Sequence, residues 1–369
     1  MKLSVVILNY NVRYFLELCL KSVQLAITSL DAEIIVIDNN SSDDSCDMMK
    51  QLFPEIRCIQ NTENVGFSKA NNQGVAQAKG EYICFLNPDT VIAEDTFSKL
   101  IEFAETKTDL GVLGCRLIDG SGRFLPESKR NIPEIKIAAQ KLFGNDKGYY
   151  ANHIGEFEIG AVDVFVGAFM IIKKAIYNNV NGFDEDYFMY GEDIDLSYKI
   201  LKAGHKNYYY GETSIIHYKG ESTNKDKSYA KRFYGAMQLF YKKHFKTNYV
   251  IDTLIYFGIT LAFLFRKPYQ KIETWPDYYY FISSKSSPNS DWMLIKPLEL
   301  ISNYKHINSK SEVIFDANEV SFKQIISDFS FLIAKNNTLN FKILPRNSNF
   351  IIGSNDSNQQ GKVMLLNQN

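Results

Sequence analysis

No stretch of this 369-residue chain reaches the roughly 20 consecutive apolar residues of a membrane-spanning helix. Its longest mostly apolar segment, Tyr249–Phe265, is interrupted by Asp252. No small-residue cleavage site follows the N-terminal apolar stretch, which ends at Asn9-Tyr10-Asn11, so no signal peptide is expected. No C-x-x-C pair occurs among Cys19, Cys46, Cys58, Cys84 and Cys115, which argues against a disulfide framework. These residues read as reduced, packed thiols of a cytoplasmic protein. No charge of either sign dominates: a net charge of -1 gives no global reason to expect nucleic-acid binding. No G-x-G-x-x-G follows the first apolar run, which argues against a Rossmann dinucleotide site.

What is present is a globular composition, with 45% apolar and 22% charged residues. Ser4–Leu8 and Glu33–Ile37 are continuous apolar runs of the kind expected for strands buried on both faces. Ile56–Gln60, Tyr82–Leu86 and Gly111–Ile118 add three more strands. Helical spacing recurs between them, as in Phe15, Leu16, Leu20, Val23 and Ile27. Such alternation predicts a parallel sheet covered on both faces.

The first four strands each end in a polar cluster: Asn9-Tyr10-Asn11, Asp38-Asn39-Asn40, Asn61 to Asn64, and Asn87-Pro88-Asp89. Right-handed crossovers bring such ends to one edge of the sheet, where open α/β sheets hold ligands. Pro88 cannot donate to a strand ladder, so Asp89 is delivered where the fourth strand breaks into a loop. Short amides and carboxylates suit a site that must hydrogen-bond a base, a ribose and a metal together.

These segments, with VIDNNSSDDS (Val36–Ser45), NVGFSKANNQG (Asn64–Gly74) and FLNPDT (Phe85–Thr90), resemble the nucleotide-sugar half of a family 2 glycosyltransferase. Within that family the pattern is most similar to the rhamnosyltransferase-like branch. The resemblance implies a GT-A fold over residues 1–225, an α/β sheet with helices on both faces. It implies that Asp38 holds the base, that Asn9, Asn64 and Gly66 line the nucleotide pocket, and that Asn72 sits beside it. Asn87-Pro88-Asp89 occupies the position of the family's D-x-D motif. With Asn as its first member, Asp89 is left as the carboxylate for a divalent ion, Mg²⁺ or Mn²⁺.

Farther on, Val162–Lys173 reads as a central strand broken at Gly167, which in the resembling family passes beside the donor sugar. Tyr190–Gly204 (YGEDIDLSYKILKAG) opens a helix with three acids that complement its dipole. It also resembles the family's E-D-x-D-L stretch, which implies Asp193 as the general base and Glu192 as its neighbour. The H-x-x-G-x-S pattern of His217, Gly220 and Ser222 resembles the segment that returns to the diphosphate, with His217 completing the metal shell. Arg116, Arg123, Lys129 and Arg130 make their segment locally basic, which reads as a solvated loop in preference to a mobile loop near a phosphate-bearing donor.

Residues 226–282 read as a basic amphipathic helix, with Phe233, Met237, Phe240, Tyr241 and Phe245 on one face, followed by a hydrophobic one. That pairing raises peripheral contact with the inner face of the cell membrane, against the alternative of helices packed on the catalytic domain. Residues 283–369 open with the linker-like SSKSSPNS and read as a small β-α-β piece without chemistry. The expected activity is inverting transfer from a nucleoside-diphosphate sugar to a saccharide or lipid-linked acceptor in cell-surface polysaccharide synthesis. Rival readings are a sugar-nucleotide pyrophosphorylase and a non-catalytic member of an assembly complex.

Overall fold

The computed structural model describes residues 1–142, 144–221, 227–245, 275–283, 298–301, 304, 307–357 and 360–366. The N-terminal elements run β1 (Leu3–Asn9), α1 (Arg13–Ala26), β2 (Ala32–Asp38), α2 (Ser45–Leu52), β3 (Arg57–Gln60), α3 (Phe67–Gln77) and β4 (Tyr82–Leu86). Next come β5 (Thr90–Val91), α4 (Thr96–Glu105), β6 (Leu110–Ile118), α5 (Ile135–Leu142), β7 (Ile159–Val162), β8 (Phe169–Lys173) and α6 (Lys174–Asn179). The helix α7 (Glu192–Lys202), β9 (Lys206–His217) and α8 (Lys227–His244) complete this part. Val5, Val6, Ile7, Ile35, Val36 and Ile37 are fully buried, as continuous apolar strands in a covered sheet must be.

The strands lie in the order β3-β2-β1-β4-β8-β6-β9-β5, with β7 also on β9. The first four pair in parallel, as the alternation predicts, and their polar ends share one edge. The sheet as a whole is mixed, because β8 enters between β4 and β6 antiparallel to both. A strand that returns after the long 119–158 excursion needs no crossover helix, so the parallel expectation fails there.

The C-terminal part differs from the small β-α-β piece the sequence implied. It is a six-stranded sheet in the order β11-β10-β12-β13-β14-β15. Its elements are β10 (Tyr278–Ile282), β11 (Leu298–Ile301), β12 (Ser311–Asp316), α9 (Phe322–Lys335), β13 (Asn340–Leu344), β14 (Phe350–Gly353) and β15 (Lys362–Leu365). β10 belongs to this sheet although it precedes the expected boundary at 283.

Nor is this sheet an appendage. One hydrophobic cluster runs from Phe15, Leu18 and Tyr218 of the first part to Phe315, Phe329 and Phe341 of the second. The Glu94 carboxylate accepts the backbone N–H groups of Phe322 and Lys323 at 2.8 Å each, occupying the positive end of α9. Lys21 Nζ donates to Arg346 O at 2.7 Å and Ser348 Oγ at 2.6 Å.

The amphipathic helix α8 also turns inward. Ala236, Met237, Phe240 and Tyr241 pack on Val164, Tyr187 and Ile194, and Lys243 Nζ lies 2.5 Å from Asp184 Oδ2. The face offered by sequence to a membrane is therefore spent on the N-terminal part. The run 249–265 lies outside the described residues, among which no helix is long and apolar enough to cross a membrane.

With one core joining both sheets, urea unfolding is expected to give a single transition by circular dichroism and by fluorescence. Phe329→Ala should lower that stability by about 3–5 kcal/mol. Two separated transitions would show that the sheets fold independently.

Candidate active site

The parallel register of β1 and β2 sets Asn9 beside Asp38. Asn9 Nδ2 donates to Asp38 Oδ1 at 2.8 Å and to Ser41 Oγ at 3.1 Å. The other oxygen of Asp38 accepts the Ser41 N–H at 3.0 Å. Both residues are buried, and Asn9 Oδ1 is a buried acceptor without a partner among the described residues. Asn39, which sequence reasoning did not single out, ties this pair to the next loop. Its amide donates to Asn64 Oδ1 at 2.8 Å and accepts from the Val65 N–H at 3.1 Å. Gly66 has φ +84°, and a Cβ there would stand 2.6 Å from Phe188 O, so only glycine fits. The doubled Asn after Asp38 was the available signal for Asn39.

Asn72 is not part of this pocket lining. Its amide donates to Phe183 O and Glu185 Oε1, both at 2.9 Å, and accepts from Tyr177 Oη and the Phe183 N–H. With its donors and acceptor so used, it clasps the 182–185 loop instead of a nucleotide.

At the end of β4, Asn87 Nδ2 lies 3.3 Å and Asp89 Oδ1 3.5 Å from His217 Nε2. The pairing of β5 with β9 places Thr90 opposite His217, and the Tyr218 N–H donates to Asp89 O at 2.9 Å. A carboxylate, an amide and an imidazole on one wall fit a hard divalent cation whose shell substrate phosphates complete. Among the described residues no three His, Cys, Asp or Glu side chains gather without such help. Ser222 lies outside the described residues. Its neighbour Glu221 is buried, and burial pushes its carboxyl up to about 8, with Asp89 adding to the shift.

The acids of α7 stand on the far side of the β8 loop. Asp193 Oδ2 accepts the Gly167 N–H at 3.1 Å, while the adjacent Ala168 O accepts the Asn87 N–H at 3.0 Å. A single dipeptide thus carries Asp193 on one flank and the Asn87–Asp89–His217 group on the other. Asp193 Oδ2 also receives Arg130 Nη2 at 2.7 Å. The same nitrogen donates to Phe165 O at 2.5 Å.

Arg130 is therefore a buried site residue and not part of a solvated loop; Arg116 and Lys129 are buried as well. Burial works against the Arg130 charge, but Asp193 overrides it and holds the guanidinium ionised. Burial, then the charge of Asp193, push Glu192 well above the ordinary carboxyl range. Glu192 Oε2 has no partner among the described residues. Asp195 faces the other way, 2.6 Å from His244 Nε2 of α8, and serves to dock that helix.

Arg130→Met leaves Asp193 buried without its cation and is expected to cost about 3–5 kcal/mol in urea unfolding. Glu221 gives a pH signature, because its folded pKa lies above the unfolded one. Its contribution is full below about 4.5 and is lost as pH rises through about 8. Melting temperatures across that window should fall less steeply in Glu221→Gln than in the native protein.

Residues 4–180 match the family model described as glycosyl transferase family 2. Residues 160–220 match one described as the N-terminal domain of galactosyltransferase. Over 242 residues the chain is 27% identical to the N-acetylglucosaminyl-diphospho-decaprenol L-rhamnosyltransferase of Mycobacterium tuberculosis, covering 61% of this chain and 78% of that protein. It is 31% identical over 161 residues to rhamnosyltransferase WbbL of Escherichia coli, covering 42% of this chain and 61% of the relative. Among solved structures, the mannosyltransferase PcManGT of Pyrobaculum calidifontis, in complex with GDP-Man and Mn²⁺, superposes with a TM-score of 0.50 at 15% identity. That match covers 71% of this chain and 72% of the other and bears on the fold alone. Residues 4–180 thus form a glycosyltransferase family 2 domain on a GT-A type sheet, and the chain is similar to the rhamnosyltransferases among its relatives.

Proposed function

We propose that this glycosyltransferase moves a sugar, with inversion, from a nucleoside-diphosphate donor to a hydroxyl of a lipid-linked saccharide. The observation that carries this reading is the Gly167-Ala168 dipeptide, bonded to Asp193 on one side and Asn87 on the other. That juxtaposition supports a base and a cation site near enough to serve one pair of substrates, as transfer between them requires. The acceptor class rests on the named activity of the mycobacterial relative.

In this reading Asp38 and Asn9 hold the base of the donor, and Asn9 Oδ1, unpartnered in the described structure, is free to accept from it. Asp89, His217 and Asn87 would hold the divalent cation, Mg²⁺ or Mn²⁺, beside the diphosphate. When bound, the cation supplies positive charge to the departing nucleoside diphosphate. Asp193 takes the proton of the acceptor hydroxyl while that oxygen bonds to the anomeric carbon. The bond from this carbon to the diphosphate oxygen breaks, and its electron pair leaves with the nucleotide. Oδ2 of Asp193 takes two donors, Arg130 and the Gly167 N–H, and Oδ1 takes one, the Ile194 N–H at 2.8 Å, so Oδ1 keeps the lone pair that receives the transferred proton. Glu192, whose ionisation burial and the charge of Asp193 oppose, stands beside the base with Oε2 unpartnered in the described structure.

Asp193→Asn is expected to lower transfer by about 10²–10⁴-fold while leaving Mn²⁺–nucleotide affinity unchanged. Product formation with a panel of nucleotide sugars checks this, and full activity would remove the base assignment. Chelation with EDTA should stop nucleoside-diphosphate release, and added Mg²⁺ or Mn²⁺ should restore it. Release of pyrophosphate instead would point to a different reaction.

A further inference from the structure

The matched family models end at residue 220, and the second sheet lies entirely beyond them. That sheet nevertheless reaches back to the loop that leaves His217. The backbone N–H of Gly361, just before β15, donates to both carboxyl oxygens of Glu221, at 2.8 and 2.7 Å. Gln360 Nε2 donates to Glu221 O at 3.2 Å. The approach is close enough that a Cβ on Gly361 would sit 2.6 Å from Phe15 Cζ and 2.9 Å from Gly353 O. The Phe15 ring in turn packs on Tyr218, with centroids 5.0 Å apart, and Tyr218 donates to Asp89 O.

The loop needs this support. Lys219 has φ 66° and Gly220 φ 86°, so two consecutive residues are left-handed, a region that lysine rarely populates. Lys219 is tied outward to Glu127, and Glu221 is buried with its carboxyl against the strap at Gly361. Between these two anchors the chain has little freedom. His217 is thus set beside Asp89 by contacts that include a segment some 140 residues downstream in sequence.

We propose that Glu221 is a positioning residue of the donor site and that the second sheet, through Gly361, fixes the loop presenting His217 beside Asp89. The inference rests on the reading that Asp89 and His217 face the donor diphosphate with its cation. Groups that orient metal ligands from behind commonly govern affinity as strongly as this arrangement implies. The sheet without recognised chemistry is then a working wall of the site.

Calorimetric titration of the full chain with UDP, GDP and dTDP, each with Mn²⁺ and with EDTA, tests the proposal. The native protein should bind at least one nucleotide more tightly with Mn²⁺. Glu221→Ala should lose about 10–100-fold of the Mn²⁺-dependent affinity while keeping its affinity in EDTA. Glu221→Gln, which still accepts from the Gly361 N–H, should recover most of that loss. Gly361→Ala, a change in the strap just before β15, should weaken the same quantity by displacing the strap from Phe15. Native-like Mn²⁺-dependent binding in both Ala variants would overturn the proposal, and so would equal losses with Mn²⁺ and with EDTA. Absence of any Mn²⁺-dependent gain in the native protein would overturn the donor-site reading itself, and this inference with it.

Discussion

A carboxylate taken out of water must find a partner or give up its charge. Asp38, Asp89, Asp193 and Glu192 are all buried along one edge of the sheet, and each meets that requirement differently. Asp38 takes two hydrogen bonds, from Asn9 and the Ser41 backbone. Asp89 stands beside an imidazole, and Asp193 has a guanidinium. Glu192 has no cation of its own and is pushed toward the neutral form. The site is therefore a set of buried acids that differ in what compensates each of them: hydrogen bonds, an imidazole, a guanidinium, or no cation at all. The fold delivers them because the parallel strands end, and the antiparallel β8 begins, at a common edge, with the start of α7 bonded to the Gly167 N–H just before β8.

The strand ends were the legible part of the sequence. Asn9, Asp38 and Asp89 stand where an apolar run meets polar residues, and the register of adjacent parallel strands then brings the first two together. Asp193 was legible through the acids opening α7. Arg130 was not, because a lone arginine among prolines and lysines carries no period, and its burial depends on Phe165 and Asp193, distant in sequence. Asn72 misled for a related reason. Its place on α3 puts it near the pocket, but the loop around Phe183 claims its amide, and no local pattern records that contact.

The C-terminal half shows where periodicity stops informing. Helix α8 has an apolar face at helical spacing, and spacing alone cannot say whether protein or lipid covers it. The neighbours Val164, Tyr187 and Ile194 decide the matter. Strand β10 reads as aromatic sequence ahead of a linker, yet it pairs with β11 and β12 inside the second sheet. Non-local pairing of that kind leaves no mark on a short window of residues.

The core shared by the two sheets has a consequence for how such enzymes can be recombined. Because α1 contributes Phe15 and Leu18 to the packing of the second sheet, the two halves are not interchangeable parts. A chimera that grafts a relative's C-terminal segment onto this N-terminal sheet would have to import the outer face of its first helix too. Any exchange of specificity by swapping tails must therefore begin near the start of the chain.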